Sequence, residues 1–113
     1  MMKKIVCVLF VVSMICLSGQ ALAAGDAAKG KAFYTVCATC HGPDGKGLEA
    51  LNAPSLTGLQ EWYMVRQLQN FRVGLRGVDA KDMYGMQMRP MALTLADDQA
   101  VEDVSAYIAT LEK

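Results

Sequence analysis

The apolar positions of this chain fall into one solid block and three spaced stripes. The block runs from Ile5 to Leu17, directly behind Lys3 and Lys4. The first stripe is Phe33 and Val36, three apart and able to face one core, on a helix that Asp26 caps and that runs to about Val36. Ala27, Ala28, Lys29, Lys31 and Ala32 favour this helix; Gly30 does not. Close approach of another element would explain Gly30, a tolerated defect being the alternative. The second stripe, Met64, Leu68, Phe71 and Leu75 widened by Trp62 and Val65, predicts a helix from about Leu59 to Val73, ended by Gly74 and Gly77. The third, Val101, Val104, Ile108 and Leu111, predicts a helix from about Asp97 to Leu111, with Asp97 and Asp98 at its positive N-terminus. Gly42 to Pro54 is dense in Gly, Pro, Asp and Asn and reads as a loop, and Val78 to Leu93 reads as a second irregular stretch. No segment alternates with a period of two, so the fold class is all-α, in one domain.

The apolar block stands outside that domain. Two lysines, an apolar run and Ala21-Leu22-Ala23 follow the order of a secretory signal peptide. The run is shorter than the roughly 20 apolar residues that cross a bilayer, which favours cleavage over a retained transmembrane anchor. Ile15 is too large, directly before Cys16, for the usual lipid-attachment site. The expected division is a cleaved signal peptide over 1–23 and a mature domain over 24–113 that does not span a membrane.

Cleavage changes what composition says. The full chain balances eleven basic against eleven acidic side chains. Both Lys3 and Lys4 leave with the signal peptide and no acidic residue does, so the mature domain is slightly acidic. That argues against a nucleic-acid binder and leaves a protein partner open. Cys7 and Cys16 are also removed, leaving Cys37 and Cys40. A domain this short buries a thin core by itself.

Those two cysteines carry the chemistry. Cys37-Ala38-Thr39-Cys40-His41 has the C-x-x-C-H form of a c-type haem attachment site. Each thiol can add across one haem vinyl group, and the adjacent histidine is held against one face of the iron. A redox dithiol or half of a zinc site would use a bare C-x-x-C. Here no second cysteine pair follows and no βαβ pattern surrounds the motif. A covalently held haem would also supply apolar interior that the chain lacks.

The opposite face of the iron needs a ligand or a vacancy. The chain has one histidine, so bis-histidine ligation within one subunit is excluded. Methionine remains, and its soft thioether paired with histidine raises the haem potential in electron-transfer cytochromes. Met83, Met86, Met88 and Met91 compete for the position. Met83 and Met86 flank Tyr84-Gly85, which reads as a turn, and Met91 follows Pro90 close to the last helix. Met88 stands mid-loop, seven residues before Leu95.

These residues resemble class I cytochromes c over nearly all of the mature chain, and most resemble one domain of the periplasmic dihaem cytochromes c and their single-haem relatives. The resemblance is carried by Gly30-Lys31-Ala32-Phe33-Tyr34, the haem motif with Gly42, Gly45-Lys46-Gly47 and Ala53-Pro54-Ser55-Leu56-Thr57-Gly58. It continues through Gln67-Leu68-Gln69-Asn70-Phe71-Arg72 and Met88-Arg89-Pro90-Met91 to Asp103-Val104-Ser105-Ala106-Tyr107-Ile108. It implies a class I cytochrome c fold of about three to five helices wrapped around one haem c, attached through Cys37 and Cys40. It implies His41 and Met88 as iron ligands, the spacing before the last helix selecting Met88 over Met91. It also implies that the Pro54 carbonyl accepts from Nδ1–H of His41, that Leu56 packs on the porphyrin, and that Gly30 and Phe33 cross the last helix near Tyr107. With one haem motif instead of two, transfer between haems inside the chain is absent. Trp62, Tyr63, Arg66 and Gln67 are open to two readings, donors to the haem propionates or a core aromatic pair with a solvated polar face.

The function that follows is a periplasmic one-electron carrier, exported because c-type haem is attached outside the cytoplasmic membrane in bacteria. Its partners would be redox proteins (an oxidase, reductase or dehydrogenase), with no small-molecule substrate and no nucleic acid. Arg72, Arg76, Lys81 and Arg89 read either as a steering ring or as scattered surface charge. Two other readings stay open: a haem subunit of a larger membrane respiratory complex, and a ligand-binding haem sensor or enzyme with a labile methionine.

Overall fold

A computed structural model describes residues 24–113; the signal peptide expected over 1–23 lies outside the described residues. The elements in chain order are α1 (Ala27–His41), a short 3-10 turn at Glu49–Leu51, α2 (Glu61–Val73), α3 (Met83–Ala92) and α4 (Asp98–Ala109). Among the described residues there is no strand, only one isolated bridge between Leu48 and Ala53. None of these helices is long and apolar enough to cross a membrane.

The helix α4 is the spine. Val101, Val104 and Ser105 are fully buried and Ile108 nearly so. Helices α1 and α2 pack against α4, and α3 packs against α2. Tyr34, Met64, Leu68, Phe71, Ala92 and Leu95 complete one core cluster. Arg72 of α2 reaches the first turn of α4, its Nη1 2.6 Å from Oδ1 of Asp98.

Helix starts follow the sequence. The Asp26 carboxylate accepts from the N–H groups of Ala28 and Lys29 at 2.9 and 3.2 Å, and Asp97 accepts from Ala100 at 2.8 Å, so each satisfies donors that the first turn leaves free. The first helix ends five residues later than the sequence predicts. It runs through the whole cysteine motif and stops at Gly42, whose N–H bonds the Ala38 carbonyl at 2.9 Å. The second difference is larger. The stretch read as irregular contains helix α3, so Met83, Met86, Met88 and Met91 are helical and Tyr84-Gly85 is no turn. Pro90 inside α3 hid it, because proline offers no N–H to the Met86 carbonyl; packing against α2 overrides that cost.

Some core residues also differ from expectation. Phe33 and Val36 are 39 % and 41 % exposed, while Tyr34 is buried. Tyr34, not Phe33, meets the last helix, its ring 5.2 Å from that of Tyr107. Trp62 and Leu75 lie at the surface, although Met64, Leu68 and Phe71 hold the stripe.

Gly30 explains the helix crossing. A Cβ there would land on the backbone carbonyl oxygen of Asp103 and within 2.9 Å of Tyr107 Cβ. The carboxylate of Asp103 in turn accepts from the backbone N–H of Asp26 at 2.8 Å and from Gln99 at 3.0 Å, and the residue is buried. The Asp26 N–H, with help from Gln99 and Lys29 and against the cost of burial, holds this carboxyl below its usual value.

Two outcomes follow at this crossing. Gly30→Ala should destabilise the protein by at least ~2 kcal/mol in denaturant titration, since backbone cannot give way as a flexible side chain can. Folding favours the ionised form of Asp103, so its stabilisation is complete above the ordinary aspartate pKa of about 3.9 and fades as pH falls through the lower folded value. Asp103→Asn should therefore cost about 1–2 kcal/mol at neutral pH. The gap from the parent protein should close as titrations are repeated in increasingly acid buffer.

Candidate functional site

The extension of α1 gives the cysteine motif its geometry. Residues three and four apart on a helix share a face, so Cys37, Cys40 and His41 are presented together from the last turn. Both thiols are unpaired and half-buried. Burial pushes the Cys37 thiol up. A redox-active dithiol needs the reverse, a thiolate stabilised by nearby positive charge.

His41 is buried, 7 % exposed, at the C-terminal end of α1. Its Nδ1 lies 2.8 Å from the carbonyl oxygen of Pro54. That carbonyl can only accept, so Nδ1 carries a proton, and in the neutral ring this leaves the lone pair on Nε2, the tautomer that binds a metal. The intervening loop is folded to bring Pro54 there. Gly47 donates to the His41 carbonyl at 2.8 Å and Leu48 to Ala53 at 2.9 Å, and Leu56 donates to Gly45 at 2.7 Å. Gly47 has φ +82°, and a Cβ on it would come within 2.7 Å of the Pro54 carbonyl carbon. Glycine is required for the loop to close over Pro54. Leu56, half-buried, packs against the core cluster.

One residue of this frame was not found from the sequence. The buried hydroxyl of Tyr34 donates to the Gly42 carbonyl at 2.6 Å, locking the end of α1. Burial is the main reason its pKa is pushed up to about 12. Its spacing from Gly30 and Ala38, four residues each way on one helix face, was the signal available.

On α3 the four methionines separate by face. Gly85 and Ala92 are buried, and Met88 lies on the same inward side, half-buried against the core. Met83, Met86 and Met91 point outward at 59, 46 and 38 % exposure. A cleft of about 490 Å³ brings α3 and the histidine loop together, Tyr84 on one side and Leu48 and Pro54 on the other. Leu48 and Tyr84 are 47 % and 53 % exposed. Two thiols, an imidazole with a committed Nδ1 and an inward thioether are the donor set that a covalently held haem requires, and the cleft between Pro54 and Tyr84 adds uncovered apolar surface.

The polar residues expected near a cofactor are mostly engaged elsewhere. Gln67 accepts from Arg76 at 2.9 Å, whose guanidinium also lies 4.3 Å over the Phe71 ring. Arg72 is paired with Asp98. Trp62 and Tyr63 are surface residues in edge-to-face contact, with Arg66 4.9 Å over the indole, so they form no core pair. Of the four cations Arg72, Arg76, Lys81 and Arg89, the first two are thus held by contacts within the chain.

Residues 27–112 match the model of the family described as cytochrome c. The chain is 42 % identical over 94 residues to cytochrome c4 of Pseudomonas aeruginosa, covering 83 % of this chain and 42 % of that protein. It is 37 % identical over 89 residues to cytochrome c-554(548) of Halomonas halodenitrificans, covering 79 % of this chain and all of that protein. Among solved structures, reduced recombinant cytochrome c4 from Pseudomonas stutzeri superposes with a TM-score of 0.66 at 29 % identity, over 80 % of this chain and 53 % of the other. The chain thus spans about half the length of the cytochrome c4 proteins it matches.

The inward face of α3 makes the methionines distinguishable. Met88→Ala should abolish the long-wavelength iron–sulfur charge-transfer absorption of the oxidised protein, and Met91→Ala should preserve it; the opposite pattern would move the ligand to Met91.

Proposed function

The chain belongs to the cytochrome c family, and from that premise we propose that it is a monohaem one-electron carrier of the bacterial periplasm. Its cofactor is haem c, attached through Cys37 and Cys40. When bound, the haem supplies an iron that gains or loses a single electron.

The rest is done by the chain. His41 would offer Nε2 to the iron and Met88 its thioether. Both are neutral ligands that neither take up nor release a proton with the change of state. The Pro54 carbonyl holds the imidazole in one tautomer and orientation, and makes it a better donor. The buried end of α1, locked by Tyr34, keeps the thiols and His41 in fixed register. Groups held this firmly have little to reorganise when an electron arrives or leaves.

The observation that carries this reading is the 2.8 Å contact between Nδ1 of His41 and the Pro54 oxygen. It leaves Nε2 of the chain's one histidine available to the iron, and on this reading no imidazole is left to act as acid or base there, as a peroxide-handling enzyme requires. Redox proteins such as an oxidase, reductase or dehydrogenase are the partners that fit a one-electron carrier. Export is supported by the Lys3 to Ala23 pattern, and a mature N-terminus at Ala24 would agree with it.

The reduced protein should bind carbon monoxide slowly and incompletely near neutral pH, because Met88 must first leave. Rapid, complete binding would instead favour a ligand-binding sensor or enzyme. Alkaline pyridine spectra should report one covalently held haem per chain, and their failure to do so would remove the cofactor altogether.

A further inference from the structure

One carboxylate holds α3 in place. The side chain of Asp82 caps the helix by accepting from the Gly85 N–H through Oδ1 at 3.0 Å, and its Oδ2 accepts from the Gly77 N–H, also at 3.0 Å. Gly77 ends the turn that leaves α2 and Gly85 lies in the first turn of α3, so a single side chain staples that turn to the start of α3. The fit leaves no spare room. Gly77 is buried with φ +76°, and a Cβ on it would fall on the Gly85 carbonyl oxygen and within 2.8 Å of Arg89 Cβ. A Cβ on Gly85 would fall on the Asp82 carboxylate itself. The connecting turn is closed independently, with Asp82 N–H donating to the Asp79 carbonyl at 2.9 Å and Lys81 N–H to the Asp79 carboxylate at 2.8 Å.

What the staple fixes is the rotation of α3. Gly85, Met88 and Ala92 stand at i, i+3 and i+7, one face of a helix, and each residue of slip turns that face by about 100°. A rotation of one residue would withdraw Met88 and bring a neighbouring side chain inward. Pro90 has already weakened the helix from within, so the interlocked first turn is the strongest local determinant of which methionine faces the core.

We infer that Asp82 is a positioning residue for the sixth iron ligand, acting through the Gly77–Asp82–Gly85 staple to hold Met88 on the inward face of α3. The inference rests on the proposal that Met88 is that ligand, and extends it to a residue that never touches the iron. Two acceptor oxygens on one short side chain are needed. Asparagine keeps a single acceptor and presents an NH2 group to the other N–H, and alanine keeps neither.

The test uses the complete holoprotein and its Asp82→Asn and Asp82→Ala variants. Covalent haem content should be unchanged, because α1 and the Pro54 loop do not depend on the staple. The iron–sulfur charge-transfer absorption should weaken in Asp82→Asn and weaken further in Asp82→Ala. Carbon monoxide uptake by the reduced Asp82→Ala protein should rise by about tenfold, the change that corresponds to ~1.4 kcal/mol, with Asp82→Asn between it and the parent. If the parent shows the absorption and both variants match it in band intensity and uptake, Asp82 only stabilises the fold and the inference is overturned. Should Asp82→Ala not accumulate, the Asp82→Asn measurements decide by themselves. If the parent itself lacks the absorption, it is the Met88 assignment that fails, and the positioning role falls with it.

Discussion

The contact on which this protein depends is the crossing of α1 over α4 at Gly30. Backbone meets backbone there, with the Asp103 carbonyl occupying the space that a side chain would need. The Asp103 carboxylate then reaches back to the N–H of Asp26, so the start of α1 is fastened by the residue whose backbone its middle touches. From that anchored point the helix continues without interruption to His41. A helix is stiff over such a length, and whatever fixes its first turns therefore also sets where Cys37, Cys40 and His41 stand relative to the core.

The two sides of the site are held by different physics. The histidine side is over-determined: helix register, the Tyr34 hydroxyl, a short loop tied by several backbone hydrogen bonds, and the Pro54 carbonyl all agree on one imidazole orientation. The methionine side has fewer constraints. Helix α3 is short, contains a proline and packs mainly on α2. Its orientation comes from the buried Gly85 and Ala92 and from one carboxylate at its start.

That asymmetry also explains what could be read from the sequence. Local signals were legible: aspartate caps, glycine stops, the α4 stripe and the cysteine motif each depend on neighbours a few residues away. The purpose of Gly30 was legible as close approach, although its partner was not. Phe33 and Tyr34 illustrate the limit, because both are apolar enough for a core, and Tyr34 goes in because it shares the helix face of Gly30, where α1 crosses α4. Helix α3 was hidden for a related reason. Its proline and glycine are local arguments against a helix, and they are overruled by packing against α2, which the pattern within the segment does not report. The pairing of Nδ1 with Pro54 could be expected only from family resemblance, since spacing alone does not say how thirteen residues of loop will fold.

The long α1 offers one more step of reasoning. Had it ended near Val36, the two thiols and the histidine would lie in extended chain, where side chains at i and i+3 point to opposite faces. Because the helix runs to His41, three reactive groups converge without any long-range contact having to gather them. Positive φ at Gly42 then turns the chain sharply away at the moment the last of them has been placed. The remaining task, closing a ring of backbone hydrogen bonds behind the imidazole, falls to a loop of small residues that have little else to pack. In this chain the helix gathers the reactive groups and the loop orients the histidine among them.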